Sequence, residues 1–507
     1  MKYGAIATGS KESLDCAKHI FKEGGNAFDA AIAAVFSSMT SEFALTGAGG
    51  GGALLGINKG QNPILYDFFV DCPPITDKKI DFGKVEVDFG NTKQSFFIGK
   101  GSIAIPGNIA GLLLAHKENG ILPLHAILEP AIHLAENGLK LSSYQAYINS
   151  LVEPILLLTD EGRDLFTINN EFLKEGDYFK NKKFADFLVQ LSRYGKDFFY
   201  NGPCSELINN KFSNDSYITL DCMDKYVVKK RTPVNFQIYD YNIFSNPAPS
   251  CGGTLISFLF KLLNNANKIS DSLDLIDLIK AMEITSIARK SNTTNPADTN
   301  EIKKILSERI FNKYLNCFIS NNYTKNKSIL SGFGSTTHIS VLDVNGNAVS
   351  VTTTNGEGSG HFIPEFGIMM NNMLGEEDLN PFGFHNWNTV RRLPSMISPI
   401  IACKNNKPKV IIGSGGSNRI RSANIQVIIN HLIKKMTLND AVSSPRIHLE
   451  GNNLYFEPKI NIPNHADFKD LQKISFENKN LFFGGVNSVN TLEAVGDERR
   501  GGVGEIF

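Results

Sequence analysis

Gly334-Ser335-Thr336-Thr337-His338-Ile339-Ser340-Val341 decides how this chain is read, because a polar segment ends there and an alternating, β-branched run begins. The pattern places a threonine at the start of a strand. If the Ser335–Thr336 bond were cut, Thr336 would carry a hydroxyl and a free α-amine on one residue. An α-amine titrates at about pH 8, so it can take the proton of its own hydroxyl, the N-terminal-threonine arrangement of nucleophilic catalysis. By itself the segment is equally an ordinary half-exposed strand.

Downstream, Thr337–Asp343 and Ala348–Thr354 alternate around Asn345-Gly346, which predicts a two-residue hairpin. Lys409-Val410-Ile411-Ile412 reads as a short buried strand, followed by Gly413-Ser414-Gly415-Gly416-Ser417 and a helix over about 418–435. A glycine turn at that place aims backbone N–H groups along the positive end of the helix dipole, which suits an oxyanion hole or a phosphate equally. Upstream, residues 288–335 are dense in Asn, Lys, Ser and Thr, with one amphipathic helix near 300–315, and read as a linker. Residues 120–235 are rich in helical periodicity. Residues 11–40 predict two helices, broken by Gly24-Gly25 and restarted by an Asn26 cap, the second apolar nearly all round. The glycine run at 47–52 precedes a strand and lacks a GK[ST] ending, so both the P-loop and the Rossmann contexts fail. Close backbone packing is the better reading there. Helices first and strands later indicate an α+β or layered αββα architecture.

Composition narrows the class. The 507 residues carry 51 basic and 51 acidic side chains with no long block of either sign, which speaks against nucleic-acid and polybasic membrane partners. No run of 18 apolar residues occurs, and Met1–Gly9 lacks an apolar signal core, so a cytoplasmic location is expected. The seven cysteines form no CxxC pair and the ten histidines no HxxxH, so neither a disulfide framework, a metal site nor a cofactor is expected.

Several blocks recur in a familiar order. They are Gly24-Gly25-Asn26-Ala27-Phe28-Asp29-Ala30-Ala31, the run at 47–52, Pro106-Gly107-Asn108-Ile109-Ala110-Gly111, and Pro249-Ser250-Cys251-Gly252-Gly253. Thr336-Thr337-His338-Ile339-Ser340-Val341 follows with Asp343 and Gly346-Asn347-Ala348-Val349, then Met396 near Ser398-Pro399, the turn at 413–419, and Gly496-Asp497-Glu498-Arg499-Arg500. In this order, over essentially the whole chain, the sequence resembles the γ-glutamyltranspeptidase family of N-terminal nucleophile (Ntn) hydrolases. The resemblance implies an α+β fold, a four-layer αββα sandwich built from a large chain (1–335) and a small chain (336–507) of one precursor. It implies cleavage between Ser335 and Thr336, Thr336 as nucleophile, Thr354 as hydrogen-bond partner of its hydroxyl, and Gly416 and Ser417 as donors to an oxyanion.

The resemblance also marks Phe69, Met373, Glu376 and Ser395 as substrate-binding positions, and here the sequence departs from the family. Phe69 stands where an arginine grips the γ-glutamyl α-carboxylate, and loss of a bidentate guanidinium removes a strong contact. Pro394-Ser395-Met396 replaces Ser-Ser-Met, Gly356 an asparagine and Met373 a glutamine, while Glu376 keeps an acidic group able to pair an ammonium. Arg391 and Arg392 are candidates to compensate for Phe69, and the short stretch from Glu376 to Pro394 suggests an open site. The implied function is a self-processing threonine hydrolase or transferase that cleaves γ-glutamyl amides and passes the acyl group to water or an amine. An acylase for another amide, its pocket lined by Phe69 and Met373, and a non-catalytic binding protein are the alternatives. The two chains are expected to stay associated, with further oligomerisation left open. Asp29, Asp497 and His338 are expected in structural roles.

Overall fold

Along the strand Thr337–Asp343, Ile339 and Val341 face a cluster of helices, while Leu342 faces a second sheet. The same period-two switch recurs in Ala348–Thr354, where Val349 and Val351 meet the helices and Ala348 meets the second sheet. A strand that is apolar on both faces has to be covered on both, and that requirement sets the layers. The computed structural model describes residues 2–88, 93–294, 298, 300–321, 335–380, 382–387, 391–465 and 468–507.

The first sheet has seven antiparallel strands in the order Lys229–Arg231, Ile64–Phe68, Gly51–Ile57, Ala348–Thr354, Thr337–Asp343, Gly4–Thr8 and Val503–Ile506. The second has six: Val234–Ile238, Tyr241–Ser245, Ile400–Lys404, Lys407–Gly415, Gly485–Asn490 and Ala494–Val495. Ala53, Leu55 and Leu342 of one sheet and Ile401, Ile411 and Val489 of the other fill the space between them. Helices Lys11–Lys22 and Ala27–Ser41 cover the outer face of the first sheet; Gly252–Asn265 and Arg419–Ile428 cover that of the second. The helix Ala27–Ser41 is buried along its whole length and starts in a capping box, Asn26 accepting from the Asp29 N–H and Asp29 from the Asn26 N–H. Asp29 further accepts from the Ile121 N–H, the hub role expected of it. Among the described residues no helix is long and apolar enough to cross a membrane.

Three sequence readings change. The hairpin loop has three residues rather than two, because Asp343 N–H still bonds to Asn347 O and Gly346 supplies the left-handed position, φ 89°. Gly413, Ser414 and Gly415 belong to the strand Lys407–Gly415, where glycine admits close neighbours; the helix expected after it forms, as α over Arg419–Ile428 and π over Ile429–Ile433. The described part of the polar stretch 288–335 is largely packed. It contains the end of helix Leu275–Asn292 and helix Glu308–Ser320, whose Phe311, Tyr314 and Phe318 join the second core. Of that stretch, 295–297, 299 and 322–334, Gly334 included, lie outside the described residues. Each sheet takes strands from both 1–335 and 336–507.

Candidate active site

Thr336 directly precedes the strand Thr337–Asp343 and is 5% exposed. The end of the strand Lys407–Gly415 comes down on it: a Cβ at Gly415 would fall 2.1 Å from the Thr336 carbonyl oxygen, so only glycine lets the turn after it approach. On the other side, Thr354 Oγ1 donates to the carbonyl oxygen of Ser335 and accepts from the Gly356 N–H at 3.0 Å. A narrow, half-open pocket with a cavity volume of about 20 Å³ lies against these groups. Ser335, Thr336, Thr354, Phe69, Glu376, Ser395 and Ser417, all singled out from the sequence, line it together. Leu379, Met396, Ile397 and Ile420 complete its wall.

Ser417 takes a left-handed conformation (φ 49°), held by its Oγ donating to Asp378 Oδ2 at 2.6 Å, while Asn418 Nδ2 donates to Asp378 Oδ1 at 2.7 Å. The N–H groups of Gly416 and Ser417 donate to no acceptor among the described residues. They are therefore available to charge developing on a carbonyl oxygen in the pocket.

The electrostatics are acidic. Burial raises the Glu376 carboxyl well above the usual range, and the neighbouring Glu357 and Asp378 add to it. Glu357 is raised by its own burial, and Asp378 by burial and by Glu450. Gly356 is what makes room for this group: its φ is 60°, and a Cβ there would lie 2.5 Å from Glu376 Oε1 and 2.1 Å from Asn372 Oδ1. A side chain at position 356 would therefore have to push Asn372 and Glu376 aside, although asparagine tolerates this left-handed φ.

Gly416, Met373, Arg391 and Arg392 do not line the pocket. Met373 is fully buried in the apolar cluster that also holds Phe69, Leu374 and Leu393, and does not line the cavity. An unbranched apolar side chain gains more from that cluster than from the wetter pocket wall. Arg392 does not replace the missing guanidinium, since it is spent on Asp71 at 2.7 Å, Asp67 at 3.1 Å and the Tyr226 hydroxyl at 3.1 Å. Arg391 lies over the Trp387 ring at 5.5 Å. Ser395 is held from the Pro249–Gly253 block, Ser250 Oγ lying 3.1 Å from both its hydroxyl and its carbonyl oxygen.

His338 sits between the sheets, bonded to Thr352 Oγ1 at 2.8 Å and Ser340 Oγ at 3.0 Å; burial pushes its pKa down to about 3, so it is neutral and structural. Asp497 binds Arg446 at 2.6 Å and Arg499 at 3.2 Å. Three acidic residues near the site, Glu42, Glu357 and Asp378, escaped sequence reasoning. Glu42 accepts from the Thr337 hydroxyl and from Ser10 Oγ at 3.1 Å. Its only sequence signal is an acid at the end of an apolar helix, and Asp378 shows only as part of a charge run.

The chain matches the family model described as Gamma-glutamyltranspeptidase over residues 14–507. It is 28% identical to glutathione hydrolase 2 of Arabidopsis thaliana, across 99% of this chain and 93% of that protein. It is also 28% identical to the glutathione hydrolase proenzyme of Escherichia coli K12, across 88% of this chain and 81% of that protein. Among solved structures, the cephalosporin acylase of Bacillus halodurans shares the fold, with a TM-score of 0.81 over 99% of this chain and 96% of that one at 20% identity. The match over nearly the whole length, joined to a threonine-centred pocket between two sheets, makes this chain a member of the gamma-glutamyltranspeptidase family of hydrolases and transferases.

Proposed function

We propose that the chain is a precursor that cleaves itself between Ser335 and Thr336 and then acts as an N-terminal threonine amidohydrolase or acyltransferase on amides of the γ-glutamyl type. The observation that carries this reading is the hydrogen bond from Thr354 Oγ1 to the Ser335 carbonyl, which polarises the one carbonyl the Thr336 hydroxyl has to attack. In the first step Thr336 Oγ bonds to the Ser335 carbonyl carbon and the bond from that carbon to the Thr336 nitrogen breaks, the nitrogen taking the hydroxyl proton. Water then hydrolyses the ester, leaving a Ser335 carboxylate and a free Thr336 amine and hydroxyl. The products are chains of 335 and 172 residues that share both sheets and so stay together as one Ntn sandwich.

In turnover the Thr336 amine takes the proton of its own hydroxyl as that oxygen attacks the substrate amide, and the Gly416 and Ser417 N–H groups hold the oxyanion. The amine leaves with the proton, and water or a second amine accepts the acyl group. The names of the relatives, glutathione hydrolase and its proenzyme, support both the acyl class and the processing. A second reading, an acylase for a different amide, is favoured by the aromatic and aliphatic wall at Phe69, Leu379 and Ile397.

Purified wild type run on a denaturing gel beside Thr336→Ala tests the first reading. Scaled from 55.8 kDa by length, the halves run at about 37 and about 19 kDa. Two bands for wild type and one for the variant are expected. Two bands for both would remove Thr336 as the nucleophile, and one for both would return the chain to a binding role.

A further inference from the structure

The pocket wall carries information about the acyl group itself, an inference that rests on the acyl-transfer reading above. Among the described residues lining the pocket, Glu376 has the one ionisable side chain. Its carboxylate accepts no hydrogen bond from any described residue. Glu357, 1% exposed and close enough for the two charges to oppose each other, likewise leaves Oε1 without a partner. Glu376 without a partner, and beside it Glu357 with one oxygen bonded to Asn372 and the other unpartnered, call for a cation at this end of the cavity.

Nothing at the site calls for an anion. Among the described residues no arginine or lysine side chain lines the pocket. Arg392 is committed to Asp67 and Asp71, while Arg391, over the Trp387 ring, and Arg500, against the Gly415–Gly416 backbone, lie outside the lining. The wall opposite is hydrocarbon: Phe69, Leu379, Ile397 and Ile420. A carboxylate entering here would lose its water to an aromatic ring and face two carboxyl groups, with no cationic side chain in the lining to offset either cost.

We propose that the acyl group this pocket holds is an ω-aminoacyl chain, a cation at its far end with no carboxylate beside it. The 4-aminobutanoyl group is its reference member, being the γ-glutamyl skeleton with hydrogen in place of the α-carboxylate. Glu376 receives the ammonium directly, Glu357 reinforces the negative potential from behind it, and the hydrocarbon wall packs on the methylenes.

The test compares three 4-nitroanilides, 4-aminobutanoyl, γ-glutamyl and butanoyl, on the self-cleaved wild-type protein. A charge-assisted contact present in one substrate and absent from another separates them by about tenfold or more in kcat/KM. The 4-aminobutanoyl anilide should lead both others by that margin. In Glu376→Gln, and less strongly in Glu357→Gln, its ratio to the butanoyl anilide should shrink, a readout that partial misfolding does not move. A γ-glutamyl anilide equal to or better than the 4-aminobutanoyl one overturns the inference while leaving the acyl-transfer reading intact, and so does a butanoyl anilide that is as good. Release from none of the three overturns the acyl-transfer reading, and this inference with it.

Discussion

Thr354 Oγ1 donates its hydrogen bond to the carbonyl oxygen of Ser335, so the peptide bond before Thr336 is already polarised while the chain is whole. The Thr354 oxygen is itself held by the Gly356 N–H, which leaves its proton facing Ser335.

Thr354→Val keeps the shape and removes that donor. Loss of one preorganised donor to a developing oxyanion costs about 10²–10³ in rate. Self-cleavage of newly purified Thr354→Val, followed on a denaturing gel over time, should slow by that order. An unchanged rate would take Thr354 out of the step.

Phe69→Arg adds the cation the pocket wall lacks. It should lower KM for a γ-glutamyl anilide by about tenfold or more if a carboxylate partner is the missing element. Phe69 is 3% exposed, so the thermal midpoint of the variant should fall as well, and both quantities need measuring together. An unchanged KM in a folded variant would mean that the arginine does not reach the acyl group.

Glu42 predicts a pH dependence of stability. Burial pushes its carboxyl up to about 7, against hydrogen bonds from Thr337 and Ser10 that pull it down. A carboxyl raised in the folded state favours folding while protonated. Its contribution is present in full below its unfolded value of about 4.5 and is lost as the pH rises through about 7. Glu42→Gln stays neutral throughout, so it should gain on wild type between those limits by on the order of 3 kcal/mol. Urea unfolding of both proteins at pH 4.5 and pH 8, chosen to bracket the titration at roughly these limits, reads the difference; parallel pH curves would contradict it.

Asp497 lies in a buried network with Arg446 and Arg499, and Arg499 also pairs with Glu457 at 2.6 Å. It accepts from the Val486 N–H as well, which ties the C-terminal segment to the strand Gly485–Asn490. Asp497→Asn leaves Arg446 without its carboxylate, and breaking a buried pair in this way costs about 3–5 kcal/mol. Denaturant unfolding should show a loss of that size. A change below about 1 kcal/mol, the range of an exposed pair, would mean the network relaxes around the amide.

Local features of the fold were legible because they have local causes. Asn26 reads as a helix cap and is one, Asp29 completing a capping box, and the alternation from Thr337 onward reads as a strand and forms one. The hairpin loop is one residue longer than Asn345-Gly346 alone suggests, because the last bond of the ladder joins Asp343 N–H to Asn347 O. The stretch 288–335 reads as linker because its polar residues outnumber Phe311, Tyr314 and Phe318, the side chains that dock its helix on the core.

The sequence alone determined which residues carry the chemistry-bearing groups and in what order, since hydroxyl, carboxyl and glycine positions are covalent facts. It could not determine what each group faces. Met373 left the pocket for an apolar cluster, Arg392 was taken by Asp67 and Asp71 more than 300 residues away, and Glu357 came to stand beside Glu376. Those outcomes depend on which strands pair and how the two sheets press together, and desolvation then decides which charges find partners and which are left for a ligand.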